Sequence, residues 1–326
     1  MQISRRTALG VAVSPLLAAA APKRDAAGAT VVPKGMWPAM LTPFKQDKSV
    51  DWNALDALVD WYLESGADGM FACCASSEVA TLSEEERLQV TARVVKRCGN
   101  VPVVSAGLPG YEPKTVVPYV KKLMDTGAVA AVLMTNQVAE QADPDSLWQD
   151  RVETLLAATG NVPFGAYELP SPYKRLLTPE LMRWAGKTGR FVFLKDTACE
   201  INAIAAKCEA AKGTPFRLFN AHVPILVDAI RKKADGFCGI AGNAYPDIVA
   251  YATHHALDKN KAEAAQEFLT RNEPVIGKSY PLSAKVMANL AGIPIEPVCR
   301  KPVRTLTAEQ METLRGLRKA ANALLA

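Results

Sequence analysis

Lys195 is the residue of this 326-residue chain whose position most clearly suggests chemistry. Four large apolar residues, Phe191-Val192-Phe193-Leu194, run directly into it, and the chain turns polar after Asp196. A short, unbroken apolar run of this kind indicates a strand buried on both faces, with the lysine at its end. An apolar surround lowers the pKa of an amine, and a neutral lysine can form an imine with a carbonyl substrate. The alternative is that Lys195 ends the strand and extends its amine to water.

The elements that would position Lys195 are strands and helices that alternate along the chain. Short apolar runs predict strands at residues 36–41, 70–73, 101–106, 130–134, 162–167, 191–195, 216–219 and 235–240. Helical patterns lie between them, with N-terminal signals at Asp51, at the capping box Ser83–Glu86 and at Thr178. Eight such units predict an α/β fold, a (β/α)8 TIM barrel. A doubly wound sheet is the main alternative, but the Gly-x-Gly-x-x-Gly that usually follows its first strand is absent.

Three regions follow from these patterns. Residues 1–33 are predicted to be a signal peptide and linker, residues 34–258 the barrel, and residues 259–326 a C-terminal helical extension packed on it. The last helix of the extension begins at a capping box, Thr307–Gln310.

The composition, 49% hydrophobic and 22% charged with a net charge of +5, is that of an ordinary globular protein. Because no basic stripe with interleaved aromatic residues is present, nucleic-acid binding is not implied.

The N-terminus has the features of an export signal. Arg5 and Arg6 precede an apolar stretch, residues 8–21, that ends in small residues suited to signal cleavage. The paired arginines indicate the twin-arginine route, so the mature protein is expected in the periplasm or outside the cell. The stretch is far shorter than the roughly 20 residues of a membrane-spanning helix, although an uncleaved signal could serve as an anchor. A chance arginine pair on an uncleaved tail is the alternative.

Cysteines and histidines form no recognisable metal or disulfide pattern. The chain has seven Cys and three His, and no two cysteines are spaced as Cys-x-x-Cys. Neither a disulfide framework nor a zinc site follows from these positions. Most of the cysteines are predicted to be small buried residues, and no metal is expected in the site.

Polar and small residues cluster where the predicted strands end. In a TIM barrel, these carboxyl ends carry the chemistry. Lys195 and Tyr167 each lie at one of these ends. The candidate substrate-binding residues are Thr42, Ser76, Ser77, Gly239 and Ile240.

A series of motifs covers nearly all of the chain from Gly35 onward. They occupy residues 41–44, 76–87, 167–170, 193–196 and 242–246, followed by Lys285, residues 292–293 and residues 300–302. In their order and spacing they resemble the dihydrodipicolinate synthase / N-acetylneuraminate lyase family of Schiff-base lyases.

This resemblance implies a covalent mechanism without a metal or an organic cofactor. Lys195 would form an imine with the keto group of pyruvate or another 2-keto acid, and the imine would act as the electron sink. Tyr167 would shuttle protons, because a phenol can both donate and accept a hydrogen bond. The loop 74–78 would hold the substrate carboxylate through Ser76, its neighbour Ser77 and backbone N–H groups.

Three positions depart from the synthases of that family. Ala75 replaces the first threonine of the carboxylate-binding loop. Asn136 stands where a Pro-Tyr-Tyr stretch supplies a tyrosine to the neighbouring subunit's proton relay. Pro172 stands where an arginine binds a second carboxylate. Together with the export signal, these changes argue against dihydrodipicolinate synthase proper.

Charged residues around Tyr167 have open roles. Lys174 and Arg175 lie close enough in sequence to Pro172 to substitute for the missing arginine. Glu168 replaces the usual asparagine of the family. It is either a structural acceptor for a loop N–H group or an added acid or base.

The first hypothesis is a class I lyase that cleaves or dehydrates a 2-keto acid such as a 2-keto-3-deoxy sugar acid, with pyruvate as the keto half. Retro-aldol cleavage and dehydration share the imine, and a sialic acid substrate is also compatible. The alternative is an exported barrel that binds a keto acid or sugar acid without catalysis. A metal-dependent barrel hydrolase is a third reading, but the strand ends lack the His and carboxylate clusters that it needs. The resemblance further implies a homo-oligomer, a dimer or a tetramer.

Overall fold

The computed structural model of the chain describes residues 31–325 and contains an eight-stranded parallel sheet. The strands are β1 (Gly35–Met36), β2 (Met70–Ala72), β3 (Val103–Ser105), β4 (Ala130–Met134), β5 (Phe164–Tyr167), β6 (Phe191–Asp196), β7 (Arg217–Asn220) and β8 (Gly236–Phe237). Neighbours follow the order β1-β8-β7-β6-β5-β4-β3-β2. The two ends of this sheet meet at a parallel bridge between Ala39 and Phe71. The sheet therefore closes into a barrel.

Helices form the layer outside the strands. They are α1 (Trp52–Glu64), α2 (Glu84–Cys98), α3 (Pro113–Asp125), α4 (Thr135–Val138), α5 (Asp145–Ala158), α6 (Pro179–Lys187), α7 (Ile201–Ala210), α8 (Leu226–Arg231) and α9 (Pro246–His254). Three more follow as a C-terminal extension, α10 (Lys259–Gly277), α11 (Leu282–Leu290) and α12 (Ala308–Leu325). The predicted (β/α)8 TIM barrel with a C-terminal helical extension is confirmed. The predicted boundary at residues 258 and 259 falls between α9 and α10 and stays a prediction.

The first and last strands are shorter than the sequence patterns predict. Pro38 has no N–H group to donate to a ladder, so the chain after β1 pairs with β2 only around the bridge at Ala39. Strand β8 ends at Phe237 because the chain then turns into a short 3-10 helix. At Gly236, a Cβ would lie 1.8 Å from the carbonyl oxygen of Gly35, so only glycine lets β8 approach β1 this closely.

Helix N-termini lie where the sequence signals predict them. The Asp51 carboxylate accepts hydrogen bonds from the N–H groups of Asn53 and Ala54, at 3.1 and 3.0 Å. Ser83 and Glu86 cap α2 reciprocally, each side chain accepting from the other's backbone N–H group. Caps of this kind stabilise a helix by about 1 kcal/mol each.

Four aromatic side chains fill the barrel beneath the carboxyl ends of the strands, and we call them the aromatic layer: Trp37, Phe71, Phe193 and Phe219. The ring of Phe193 lies 5.2 Å from Trp37, 5.4 Å from Phe71 and 4.9 Å from Phe219, measured between ring centres. All four rings are fully buried. Since side chains two residues apart on a strand share a face, Lys195 points into the barrel above Phe193.

The predicted export signal lies outside the described residues, apart from residues 31–33 of its linker. Within residues 31–325, no helix has the length and apolar character needed to cross a membrane. The C-terminal extension packs on the barrel, and α11 contributes a buried lysine, Lys285, that reaches a barrel loop.

Candidate active site

Lys195 and Tyr167 lie side by side at the carboxyl ends of β6 and β5. The register of these strands pairs the two residues directly. Lys195 is only 3% exposed, and its Nζ lies 4.6 Å from the centre of the Tyr167 ring and 5.8 Å from that of Phe71. The structure thus brings the two candidate catalytic residues together on top of the aromatic layer.

The groups around Lys195 determine its protonation state. Burial lowers the pKa of its amine, but attraction to the phenolate of Tyr167 and the thiolate of Cys238 outweighs burial and leaves the pKa above its usual value. Burial also raises the pKa of Tyr167 and raises that of Cys238 to about 12, so these anions form only in alkaline solution. Burial thus opposes the charge of the Lys195 amine, and the anionic forms of its neighbours favour that charge.

The carboxylates next to Lys195 and Tyr167 in sequence point away from the barrel interior. Asp196 Oδ2 and Glu168 Oε1 both accept hydrogen bonds from Lys207 Nζ, at 2.6 and 2.5 Å, and all three side chains are buried. Glu168 also accepts from the backbone N–H group of Leu177 at 2.8 Å. Its geometry is therefore that of a structural acceptor, one of the two roles left open by the sequence. Both carboxylates are paired with the Lys207 ammonium in the layer between strands and helices. Neither β5 nor β6 therefore supplies a carboxylate partner to Lys195.

Glu168 provides a pH-dependent contribution to stability. Burial, together with the nearby charge of Asp196, raises the pKa of Glu168 from 4.5 to about 7. Between these values the folded state binds a proton that the unfolded state has lost, so the free energy of unfolding falls as pH rises through this window. Glu168→Gln lacks this titrating group. From pH 4.5 to 7.5, we therefore expect the free energy of unfolding of wild type to fall by about 3 kcal/mol relative to that of Glu168→Gln. Urea unfolding of both proteins measures it, and a difference that does not change with pH would contradict the assignment.

The loop after β2 is held in a strained backbone conformation. Cys73 and Glu78, near its two ends, have left-handed backbones with φ of 49° and 57°. Such residues cost on the order of 1–3 kcal/mol each and occur preferentially at functional sites. Between them, Ala75–Ser77 form one turn of 3-10 helix. The strain therefore falls on the stretch predicted to bind the carboxylate.

The two serines of this loop have different roles. Ser76 is 3% exposed, and its hydroxyl lies close to the phenol of Tyr280, whose pKa it lowers. The Ser77 hydroxyl instead donates to the carbonyl oxygen of Met40 at 2.6 Å and accepts from the N–H group of Cys74 at 3.1 Å. Its hydroxyl holds the loop against the first strand segment, and the role of Ser77 in binding substrate stays a prediction. Local spacing could not show this contact, because Met40 lies 37 residues away.

A buried ion pair ties this loop to the C-terminal extension. Lys285 Nζ, on α11, donates to Glu78 Oε1 at 2.8 Å, and both side chains are fully buried. Glu78 Oε2 accepts from the N–H groups of Arg300 and Lys301, at 2.7 and 2.9 Å. Lys285 also donates to the carbonyl oxygen of Val298 at 2.6 Å. The extension thereby fixes one end of the candidate carboxylate-binding loop.

Tyr280 is a site residue that the sequence analysis missed. It lies between α10 and α11, and its phenol oxygen accepts a hydrogen bond from Asn243 Nδ2 at 2.7 Å. Its phenolate form would raise the pKa of Lys195, and burial raises the pKa of the phenol itself. Asn243 belongs to one of the recognised motifs, but no pattern in the sequence links Tyr280 to a strand end.

Three other predicted substrate contacts lie around the strand ends. Thr42 is fully buried, and its hydroxyl has no hydrogen-bond partner among the described residues. Gly239 follows Cys238, and a Cβ at Gly239 would lie 2.3 Å from the ring of Phe237. Ile240 is half-buried and begins the 3-10 helix after β8. The role of Thr42, Gly239 and Ile240 in binding substrate stays a prediction.

Asn136, in place of the relay tyrosine, holds the loop that follows β5. Its Nδ2 donates to the backbone oxygens of Leu169, Ser171 and Tyr173, at 2.9–3.0 Å. The Tyr173 hydroxyl in turn donates a hydrogen bond to the backbone carbonyl oxygen of Asn136 at 2.7 Å. Asn136 is therefore a structural residue of its own subunit.

Arg175 is bonded to other groups of its own chain. Its guanidinium is 5% exposed and donates to the backbone oxygens of Glu140 and Asp143 and to the carboxylate of Asp145. These bonds use Nη1 and Nη2 and leave Nε without a partner among the described residues, and a role of Arg175 in binding a second substrate carboxylate stays a prediction. Lys174 is half-buried and donates to the carbonyl oxygen of Thr197 at 2.7 Å.

The cysteines of the chain are all free thiols. Four of the seven are buried, as expected for small apolar side chains: Cys73, Cys74, Cys98 and Cys238. Across residues 31–325, no group of three or more His, Cys, Asp or Glu side chains is arranged to hold a metal ion.

Known proteins resemble this chain in both sequence and structure. The 4-hydroxy-tetrahydrodipicolinate synthase of Methanothrix thermoacetophila is 25% identical over 288 residues, which cover 87% of this chain and 95% of that protein. The dihydrodipicolinate synthase of Acinetobacter baumannii, solved in complex with pyruvate, superposes with a TM-score of 0.78 at 22% identity over 89% of this chain and 99% of that one. YagE from E. coli K12, a prophage protein also solved with pyruvate, superposes with a TM-score of 0.78 at 19% identity over 89% of this chain and 99% of that one.

The family model gives the assignment. The model described as the dihydrodipicolinate synthetase family matches residues 32–321, nearly all of the part that the structure describes. The barrel with its C-terminal helices and the solved neighbours agree with that match. The chain therefore belongs to the dihydrodipicolinate synthetase family.

Proposed function

We propose that this chain is a class I lyase that acts on a 2-keto acid through an imine on Lys195. The observation that carries the proposal is a buried lysine amine, 4.6 Å from the Tyr167 ring, whose neighbouring carboxylates are paired with Lys207 instead. A buried amine without a carboxylate partner is a suitable nucleophile toward a ketone. The pyruvate bound in the two solved neighbours supports pyruvate as the keto half.

The proposed steps need no external oxidant or reductant. The Lys195 amine adds to the keto carbon, and loss of water gives a protonated imine. The C3–C4 bond then breaks, and its electrons form the C2–C3 double bond of an enamine as the imine nitrogen becomes neutral. The hydroxyl on C4 loses its proton, and C4 becomes the aldehyde carbon. Protonation of the enamine carbon and addition of water release pyruvate and regenerate the amine. Tyr167, beside Nζ, is placed to move these protons.

The substrate class follows from what surrounds the keto acid site. Pro172 offers no charge and Arg175 is bonded to backbone oxygens and Asp145, so neither supports a second substrate carboxylate. We therefore favour a 2-keto-3-deoxy sugar acid, whose distal part carries hydroxyl groups. Retro-aldol cleavage splits the carbon chain and releases pyruvate, whereas dehydration removes one water molecule and leaves the carbon chain intact.

A panel of 2-keto-3-deoxy sugar acids tests the substrate class. Pyruvate release is followed with lactate dehydrogenase and NADH, and loss of substrate is followed by mass spectrometry in the same samples. Pyruvate in proportion to substrate lost indicates cleavage, and a product lighter by one water indicates dehydration. If no member of the panel is consumed while acidic substrates with a second carboxylate are, the proposed class is wrong.

Tyr167→Phe is expected to lower kcat by about 10²–10⁴-fold, because it removes the hydroxyl that moves protons at the imine. Imine formation on Lys195 should still be detectable after long incubation. Steady-state kinetics on the substrate found above measures the effect. Tyr251→Phe is the matched control, since Tyr251 lies on the outer helix α9 and stacks on His255 at 4.2 Å. Equal activity of Tyr167→Phe and wild type would remove Tyr167 from the mechanism.

We also propose that the protein is exported by the twin-arginine route and works as a homo-oligomer. The Arg5-Arg6 pair and the apolar stretch that follows support export. Loss of export in an Arg5→Lys, Arg6→Lys variant would support this, and unchanged export would contradict it. Light scattering of the purified protein reports the assembly.

A further inference from the structure

A fully buried amide, Asn243, fixes the orientation of the Tyr280 phenol. Asn243 Nδ2 donates to the carbonyl oxygen of Ala39 and to the phenol oxygen of Tyr280, both at 2.7 Å. Asn243 Oδ1 accepts from the hydroxyl of Tyr62 at 2.5 Å. Since a backbone carbonyl can only accept, the amide nitrogen must face Ala39. The amide oxygen then faces the Tyr62 hydroxyl, and the second amide hydrogen points to the Tyr280 oxygen.

This arrangement leaves the Tyr280 hydrogen free to point elsewhere. The phenol oxygen already accepts from Asn243, so its own O–H group is directed away from that residue. The Ala39 carbonyl that Asn243 binds is followed by Met40, which accepts from Ser77, so the phenol lies beside the loop that carries Ser76. Ser76 lowers the pKa of Tyr280, and the phenolate form of Tyr280 would raise that of Lys195. The phenol thus presents its donor to the space between the predicted carboxylate-binding loop and the candidate imine lysine.

That space is where a keto acid carboxylate would lie. In an imine of a 2-keto acid, the carboxyl carbon is bonded to the carbon that Lys195 Nζ attacks, so the carboxylate stays within a few ångströms of Nζ. The loop offers one side-chain hydroxyl to this space, that of Ser76, because Ala75 has none and Ser77 donates to Met40. Two carboxylate oxygens need more than one donor to compensate for lost water.

We propose that Tyr280 is a further substrate-binding residue, which donates a hydrogen bond to the carboxylate of the keto acid held on Lys195, beside Ser76. The inference rests on the proposed function, since it assumes that a 2-keto acid is bound at Lys195. It gives the C-terminal extension a direct part in the site, because Tyr280 lies between α10 and α11. Burial raises the pKa of this phenol, so it stays a donor at neutral pH.

The test compares a ketone that has a carboxylate with one that lacks it. Wild type, Tyr280→Phe, Ser76→Ala and the control Tyr251→Phe are incubated with pyruvate or hydroxyacetone, reduced with borohydride and analysed by mass. A hydrogen bond to a charged group contributes enough that Tyr280→Phe should need about 10- to 100-fold more pyruvate for half-maximal adduct. Adduct formation with hydroxyacetone should change by less than about twofold. Ser76→Ala should show the same selectivity for pyruvate, and Tyr251→Phe should match wild type.

Two outcomes would overturn the inference while the proposed function stands. An unchanged pyruvate requirement in Tyr280→Phe would show that the phenol does not touch the carboxylate. An equal loss with pyruvate and hydroxyacetone would show that Tyr280 only positions Lys195. Absence of any adduct in folded wild type would instead overturn the proposed function, and this inference with it.

Discussion

Lys195→Met is expected to abolish the borohydride-reducible adduct and to lower kcat/KM by at least about 10⁴-fold, because no other group can replace the amine that forms the imine. The variant should fold as well as wild type or better. Methionine has a similar length, and it removes an amine that lies over the rings of Phe71 and Tyr167 without a carboxylate partner from either adjoining strand. Thermal unfolding and adduct mass, measured on the same preparation, separate the two effects.

Lys174→Met is the matched control for this loss. Lys174 is a second lysine near the strand ends, half-buried, and its amine donates to the backbone oxygen of Thr197. Its removal should leave the Lys195 adduct in place. An adduct that persists in Lys195→Met, or that moves to another lysine without loss of turnover, would contradict the assignment of Lys195.

Lys285→Met is expected to lower the free energy of unfolding by about 3–5 kcal/mol, because it leaves the buried carboxylate of Glu78 without its cation. Glu78 would keep only the N–H groups of Arg300 and Lys301 as partners. Because Glu78 ends the loop that carries Ser76, the pyruvate concentration for half-maximal adduct should also rise. Urea unfolding and the trapping assay measure the two consequences.

Two further variants make this prediction specific. Lys122→Met breaks an ion pair of equal length, 2.8 Å to Glu84, but at 59% and 46% exposure, and should cost no more than about 1 kcal/mol. Glu78→Gln combined with Lys285→Met removes both charges and should recover part of the loss. If Lys285→Met and Lys122→Met unfold at similar urea concentrations, the buried pair does not anchor the loop.

The sequence predicts those parts of the site that depend on local pattern. The apolar run before Lys195 identifies a buried strand, and in the structure Phe193 and Lys195 of this strand both approach Phe71 inside the barrel. Tyr167 meets Lys195 because adjacent parallel strands end at the same edge of the barrel. Residues at strand ends were therefore accessible to prediction.

The parts that the sequence could not predict depend on contacts between distant segments. Tyr280 reaches the site from the helical extension, where nothing in its neighbours distinguishes it from a packing residue. Ser77 and Arg175 have the right residue types for substrate binding, but distant backbone oxygens take their donors. Only the folded chain shows which polar groups already have partners.

Borohydride trapping with pyruvate tests the central claim most directly. The protein is incubated with pyruvate, reduced, and analysed first as an intact mass and then as peptides. We expect one pyruvate-sized adduct per chain, on the peptide that contains Lys195. A folded protein that gives no adduct with pyruvate or with longer 2-keto acids would contradict the lyase and favour a barrel that binds its ligand without covalent chemistry.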